Sequence, residues 1–139
     1  MQDLFLAFDC STQSFKILVS NQRGEPIYFD KLIFESELPH YKTNNGIYVD
    51  DANDKNISSP VLMWIEAFEK SLDKMKATGK INFAYIKAIS GSTQQHAGVY
   101  WTDAKILKNL SINKSLIEQI EKMLVIKNPP IWMDNSTKE

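Results

Sequence analysis

Apolar residues fall into short clusters whose spacing changes along the chain. Leu4-Phe5-Leu6-Ala7-Phe8 is a continuous apolar run of strand length, the pattern of a strand buried on both faces. Polar Asp9 to Ser14 predicts a turn, and Phe15 to Val19 resumes strand character. Asn21-Gln22-Arg23-Gly24 reads as a second turn, with Gly24 at the positive-φ position. Ile27 to Phe34 alternates in part and predicts a third strand. Three sequential strands joined by short turns imply an antiparallel meander.

Residues 36–57 lose the pattern and read as a long loop, with Asn45-Gly46 as a sharp turn. A helix follows. Ser58 and Ser59 offer an N-cap, Pro60 an N1 residue, and Gly79 a C′ stop. Between them Val61, Ile65, Phe68, Leu72 and Met75 recur at spacings of four and three, one apolar stripe for packing on the sheet. Tyr85 to Ser90 predicts a further strand, reached through that helix. Ser111 to Leu124 predicts a second helix, with Ser115 and Glu118 as a capping box and Asn128-Pro129-Pro130 beyond its end. The order of meander, helix, strand and helix points to an α/β or α+β fold with a mixed sheet.

Composition narrows the class. The 139 residues are about one domain's worth, and 43% hydrophobic with 11% aromatic residues is the make-up of a chain with a core. A net charge of −1, with Arg23 the one arginine among 16 basic residues, leaves no footprint for nucleic acid. No apolar run approaches the roughly 20 residues of a membrane span. The opening MQDLFLAFDCSTQ lacks a basic region, so no secretory signal is read there. One cysteine, Cys10, suits a reducing compartment, and the expected location is cytoplasmic.

Three segments could carry chemistry. Asp9 to Lys16 is a polar turn directly after a buried strand. Its small polar side chains, its backbone N–H groups and Lys16 could cradle phosphate, while Asp9 could hold Mg²⁺ directly or through water. The plain alternative is a hairpin turn with local hydroxyl hydrogen bonds. In Ser90 to Gly98 a predicted strand opens into Gln94, Gln95 and His96, whose mixed donors and acceptors suit sugar hydroxyls; a structural histidine is the alternative. Trp132 beside Asp134 and Asn135 is the composition of a carbohydrate contact, or else a core tryptophan at a strand end.

Taken together and in this order, the segments resemble the N-terminal end of the FGGY carbohydrate kinases. Phe8 to Lys16 looks like the family's first phosphate motif, and Leu38-Pro39-His40-Tyr41 with Asn45-Gly46 resembles its first sugar-side loop. Ser59 to Trp64 and Lys74 to Ala77 look like its first helix. Ile89 to Trp101 and Pro130 to Thr137 are similar to its most specific sugar-side segments, with Ala97 where the family usually has glycine. The resemblance covers essentially the whole chain.

It implies an actin-like, ribonuclease-H-like fold, of which these residues form the N-terminal part of the first, sugar-binding lobe without the nucleotide-binding lobe. It implies transfer of the ATP γ-phosphate to a hydroxyl of D-xylulose. Residue by residue, Gln95, His96, Trp132 and Asp134 would bind the sugar. Asp9, Ser11, Thr12, Gln13 and Lys16 would face phosphate, with Asp9 toward Mg²⁺. The family's catalytic base has no match among these residues, so none is assigned. The implied partners are the sugar and a second polypeptide carrying the remaining kinase, and the isolated chain is expected to be inactive. The alternative is a non-catalytic sugar- or phosphate-binding remnant.

Overall fold

A computed structural model of the chain describes residues 3–137. The meander forms as expected. Strands β1 (Leu4–Cys10), β2 (Ser14–Asn21) and β3 (Pro26–Ile33) pair antiparallel in sequence order. The chain then passes through a single helical turn, α1 (Phe34–Glu37), and a 3-10 turn at Pro39–Tyr41. A hairpin of β4 (Tyr48–Asp50) and β5 (Asn53–Ser58) follows, and then the long helix α2 (Val61–Ala77). Strand β6 (Ile86–Thr93) returns parallel to β1, giving the sheet order β3-β2-β1-β6. A short helix, α3 (Leu116–Glu121), precedes the last segment.

Side chains alternate across the sheet, and α2 covers one face only. Leu4, Leu6, Phe15, Ile17, Val19 and Leu32 are buried on the α2 side with Met63, Ala67 and Met75. The opposite face carries Phe5, Ala7, Asp9, Lys16, Leu18 and Phe29, and Phe29 is 61% exposed. β6 has one sheet neighbour among the described residues, and its Ile89 is 63% exposed.

Four expectations need correction. The stretch read as a loop over 36–57 contains the β4–β5 hairpin, missed because Asn53, Asp54, Lys55 and Asn56 are polar and exposed on both sides. The most deeply buried row of α2 is Met63, Ala67, Ser71 and Met75, while Ile65, Phe68 and Leu72 flank it half-buried. Small Ala67 and Ser71 let the helix approach the sheet closely, a packing effect that hydrophobicity alone does not signal. Pro60 itself is the N-cap of α2, and Ser59 uses its hydroxyl elsewhere, donating to the Gly46 carbonyl at 2.7 Å. Helix α3 is only six residues long, and no Ser115–Glu118 capping box forms. Glu69 of α2 accepts the Leu116 N–H at 2.8 Å instead. Gly79 does end α2, at φ +66°.

Phe8 is stacked on Phe15 at 5.7 Å and meets Phe68 edge-on at 5.8 Å. Its ring lies against Gly91, its register partner on β6; a Cβ there would sit 2.2 Å from the ring. Gly91→Ala is therefore expected to destabilise the chain by about 1–3 kcal/mol through overpacking. A lowered urea midpoint at unchanged slope checks it, and Phe8→Leu in the same chain should recover part of the loss.

Candidate active site

The site is built where β1 and β6 end side by side. Antiparallel register sets Asp9 opposite Lys16, and parallel register sets it beside Ser92. The Asp9 carboxylate accepts from Lys16 Nζ at 2.7 Å, from Ser11 Oγ at 2.7 Å and from Ser92 Oγ at 3.1 Å. Hydrogen bonding from Lys16, then from Ser11, holds its pKa below the ordinary 3.8 against a smaller opposing effect of burial. Both members of this ion pair are about a third exposed, so its contribution is to geometry more than to stability.

Beyond Asp9 the chain turns, with the Ser11 N–H bonded to the Ser14 carbonyl at 2.9 Å. Gly46 is packed against this turn at φ +85°. A Cβ on it would lie 2.0 Å from the Thr12 carbonyl oxygen, so any side chain there displaces the turn. The Ser59 hydroxyl fixes Gly46 from behind. On the other side the Gln94 N–H donates to the Cys10 carbonyl at 2.9 Å, carrying the β1–β6 ladder one step past β6.

The last segment arrives along β5. Ile131 N–H donates to the Ile57 carbonyl at 3.3 Å and Asn135 N–H to the Lys55 carbonyl at 2.8 Å. Pro129 and Ile131 are buried, which turns Trp132 outward over the turn. Its indole N–H donates to Thr12 Oγ1 at 3.0 Å, and the Thr12 hydroxyl donates to Gln94 Oε1 at 3.3 Å. One hydroxyl thus joins three segments far apart in sequence. Asp9, Ser11, Thr12, Thr93, Gln94, Gln95 and Trp132 line an open pocket of about 340 Å³.

Of the nine candidate residues, Asp9, Ser11, Thr12, Gln95 and Trp132 meet at this pocket. Lys16 stands behind Asp9 and borders a shallow groove on the open sheet face. Gln13 is exposed, and its backbone carbonyl accepts from the Phe34 N–H at 3.1 Å. His96 is exposed at φ +55° outside the pocket lining. Asp134 fastens the last segment: it accepts from the Ile57 N–H at 2.9 Å and from Ser136 Oγ at 2.7 Å. Ser136 first, then Ile57, hold its carboxyl below the usual range. Ser92 and Thr93 had no assigned role in the sequence, because only the β1–β6 register sets Ser92 beside Asp9 and Thr93 on the pocket; Gln94, which the sequence singles out beside Gln95, meets Thr12.

Among the described residues Asp9 is the one carboxylate lining the pocket, and Mg²⁺ is commonly held by one or two carboxylates with retained waters and substrate phosphates. Among the described residues its Oδ1 accepts from Ser92 alone, which leaves that oxygen a further lone pair. The donor set fits Mg²⁺ held through water. Because Asp9 has a lowered pKa in the folded chain, its ionised form stabilises the fold above the unfolded value, and that contribution is lost as pH falls through the folded one. The stability difference between the parent chain and Asp9→Asn should be constant near neutrality and shrink at pH values below the ordinary 3.8. Denaturant titrations across that range check it; a gap that widens toward acid would contradict the assignment.

No family model matches the chain. It is 44% identical over 136 residues to xylulose kinase 2 of Arabidopsis thaliana, covering 96% of this chain and 24% of that protein. It is 36% identical over 134 residues to the xylulose kinase of Rattus norvegicus, covering 95% of this chain and 25% of that one. The chain thus spans about a quarter of the length of these curated relatives. Its backbone superposes on the ligand-bound xylulose kinase of Lactobacillus acidophilus with a TM-score of 0.59 at 15% identity, over 96% of this chain and 20% of that one. That likeness shows the actin-like α/β fold. Sequence and fold agree: over nearly its whole length the chain is similar to the N-terminal quarter of curated xylulose kinases, and it shares the fold of solved FGGY sugar kinases.

Proposed function

We propose that the chain is the N-terminal portion, residues 1–139, of the sugar-binding lobe of an ATP-dependent D-xylulose kinase, with the nucleotide-binding lobe supplied by further polypeptide. The observation that carries this reading is the junction at Thr12, where a phosphate-type turn, the segment after β6 and the tryptophan wall share one hydroxyl. On this reading the ketopentose rests on Trp132 and is read by Gln95, with His96 and Asp134 contributing from the sugar side. Asp9, Ser11, Thr12, Gln13 and Lys16 face the transferred phosphate. ATP supplies that phosphoryl group, and Mg²⁺ held through Asp9 offsets its charge. The 44% identity over 136 residues favours a portion of a working kinase over a non-catalytic remnant of one.

The pocket is open, and no residue here is placed as the base for the attacking hydroxyl. Phosphoryl transfer depends on positioning and charge compensation from both sides of the moving group, so one wall alone binds without turning over. Calorimetric titration with D-xylulose should show binding that Trp132→Ala weakens about tenfold, about 1.4 kcal/mol. The same purified chain with MgATP and D-xylulose should release no ADP. Steady sugar-dependent ADP release would overturn the division of labour between the lobes, and absence of sugar binding would overturn the sugar-side assignment.

A further inference from the structure

The hydroxyl groups of the phosphate-type turn have no proton to spare. Ser11 donates to Asp9, and Thr12 donates to Gln94 Oε1 while accepting from the Trp132 indole. A hydroxyl has a single proton, and the indole N–H can only donate. As arranged, neither side chain can donate to a phosphoryl oxygen. Asp9 as a carboxylate can only accept, so it cannot return the Ser11 proton. Gln94 differs, because its amide carries an acceptor at one end and donors at the other.

That amide is also mismatched to its surroundings. Its Nε2 is buried and has no hydrogen-bond partner among the described residues. The Trp64 Nε1 is buried and unpartnered as well, and both residues line one cleft of about 200 Å³ with Cys10, Thr93, Ala97 and Val99. A 180° rotation of the Gln94 amide exchanges its ends. Nε2 then donates to Thr12 Oγ1, which still accepts from Trp132, and the Thr12 proton is freed toward the open pocket. Oε1 turns to the cleft whose wall holds the spare Trp64 donor. Rotation exchanges an unpaired donor for a carbonyl turned into a mainly apolar cleft, so the gain is offset until an anion takes the freed Thr12 proton.

We propose that Gln94 is a positioning residue: its amide orientation decides whether Thr12 can donate to an anion at the turn, and anion binding selects the rotated amide. The inference rests on the phosphate reading of the turn and adds to it a residue that acts on the anion through Thr12. It makes the Trp132 wall and the phosphate turn respond together, because both act on the same hydroxyl.

The test is nuclear magnetic resonance of the ¹⁵N-labelled chain titrated with inorganic phosphate, with Gln94→Leu and Trp132→Phe assigning the side-chain signals. Without phosphate, the Gln94 NH₂ pair should resonate as an unbonded amide. With phosphate, one of its protons should move downfield together with the backbone amides of residues 11–14 and the Trp132 indole. Gln94→Glu, which can only accept and keeps the Thr12 proton, should bind phosphate about tenfold more weakly than Gln94→Leu, and adding Thr12→Val to both should remove most of that difference; a difference that persists in full reflects charge repulsion and overturns the inference. A bonded Gln94 pair in the phosphate-free chain overturns the inference outright. Turn amides that shift while Gln94 stays still, or Glu and Leu variants that bind alike, overturn it and leave the phosphate reading standing. Turn amides that never respond overturn that reading and take the inference with it.

Discussion

Strand β1 is gripped from both sides, antiparallel to β2 and parallel to β6, and the site exists only in that double register. A shift of one residue against either neighbour would turn the Asp9 side chain from the open face of the sheet toward the α2 side, into a core of Leu6, Phe15 and Ile17. Register is held by the apolar face itself. Leu4, Leu6 and Cys10 have to stay under α2, and Phe8 has to meet the one β6 position without a side chain, Gly91. Core packing and pocket geometry are therefore one constraint on this chain. Asp9 lies between two residues that can sit only where they do.

A second level of organisation is polar. The turn after β1 is backed by Gly46, whose carbonyl is held by Ser59, and faced by Trp132 and Gln94 through the Thr12 hydroxyl. These contacts come from four separate stretches, none of which would hold its shape alone. The β4–β5 hairpin is largely polar and buries little, yet it provides the edge along which the last segment runs. Asp134 fastens that segment to it through the Ile57 N–H. Its value lies in placement. It sets Trp132 over the phosphate-type turn, where an aromatic face and a polar cradle meet.

Much of this was legible in the residues. The meander, the long helix, its stop at Gly79 and the strand that follows all come from local patterning, because burial on one face leaves a period of two or of about 3.6. The caps were not legible. Ser59 reads as an N-cap and instead ties down Gly46, and the start of α3 is satisfied by Glu69 from another helix. A hydroxyl or carboxylate makes the same local offer in every chain, and which donor it meets depends on what else folds against it. The segments after β1, after β6 and at Trp132 stood out as polar or aromatic interruptions of apolar runs. Their family resemblance came from order and residue type, without geometry.

The sequence by itself determined the meander, the long helix, the strand after it and the likeness to the N-terminal quarter of the xylulose kinases, because those properties follow from local periodicity and from residue types in order. Tertiary structure alone decided which members of each polar segment share a surface. It brought Thr93 and Gln94 to the pocket and Ser92 to Asp9, left His96 and Gln13 outside the pocket lining, and turned Asp134 toward the hairpin. The reason is reach. A side-chain hydrogen bond spans about 3 Å, and partners 82 or 120 residues apart come that close only after strand register and helix packing have set the backbone.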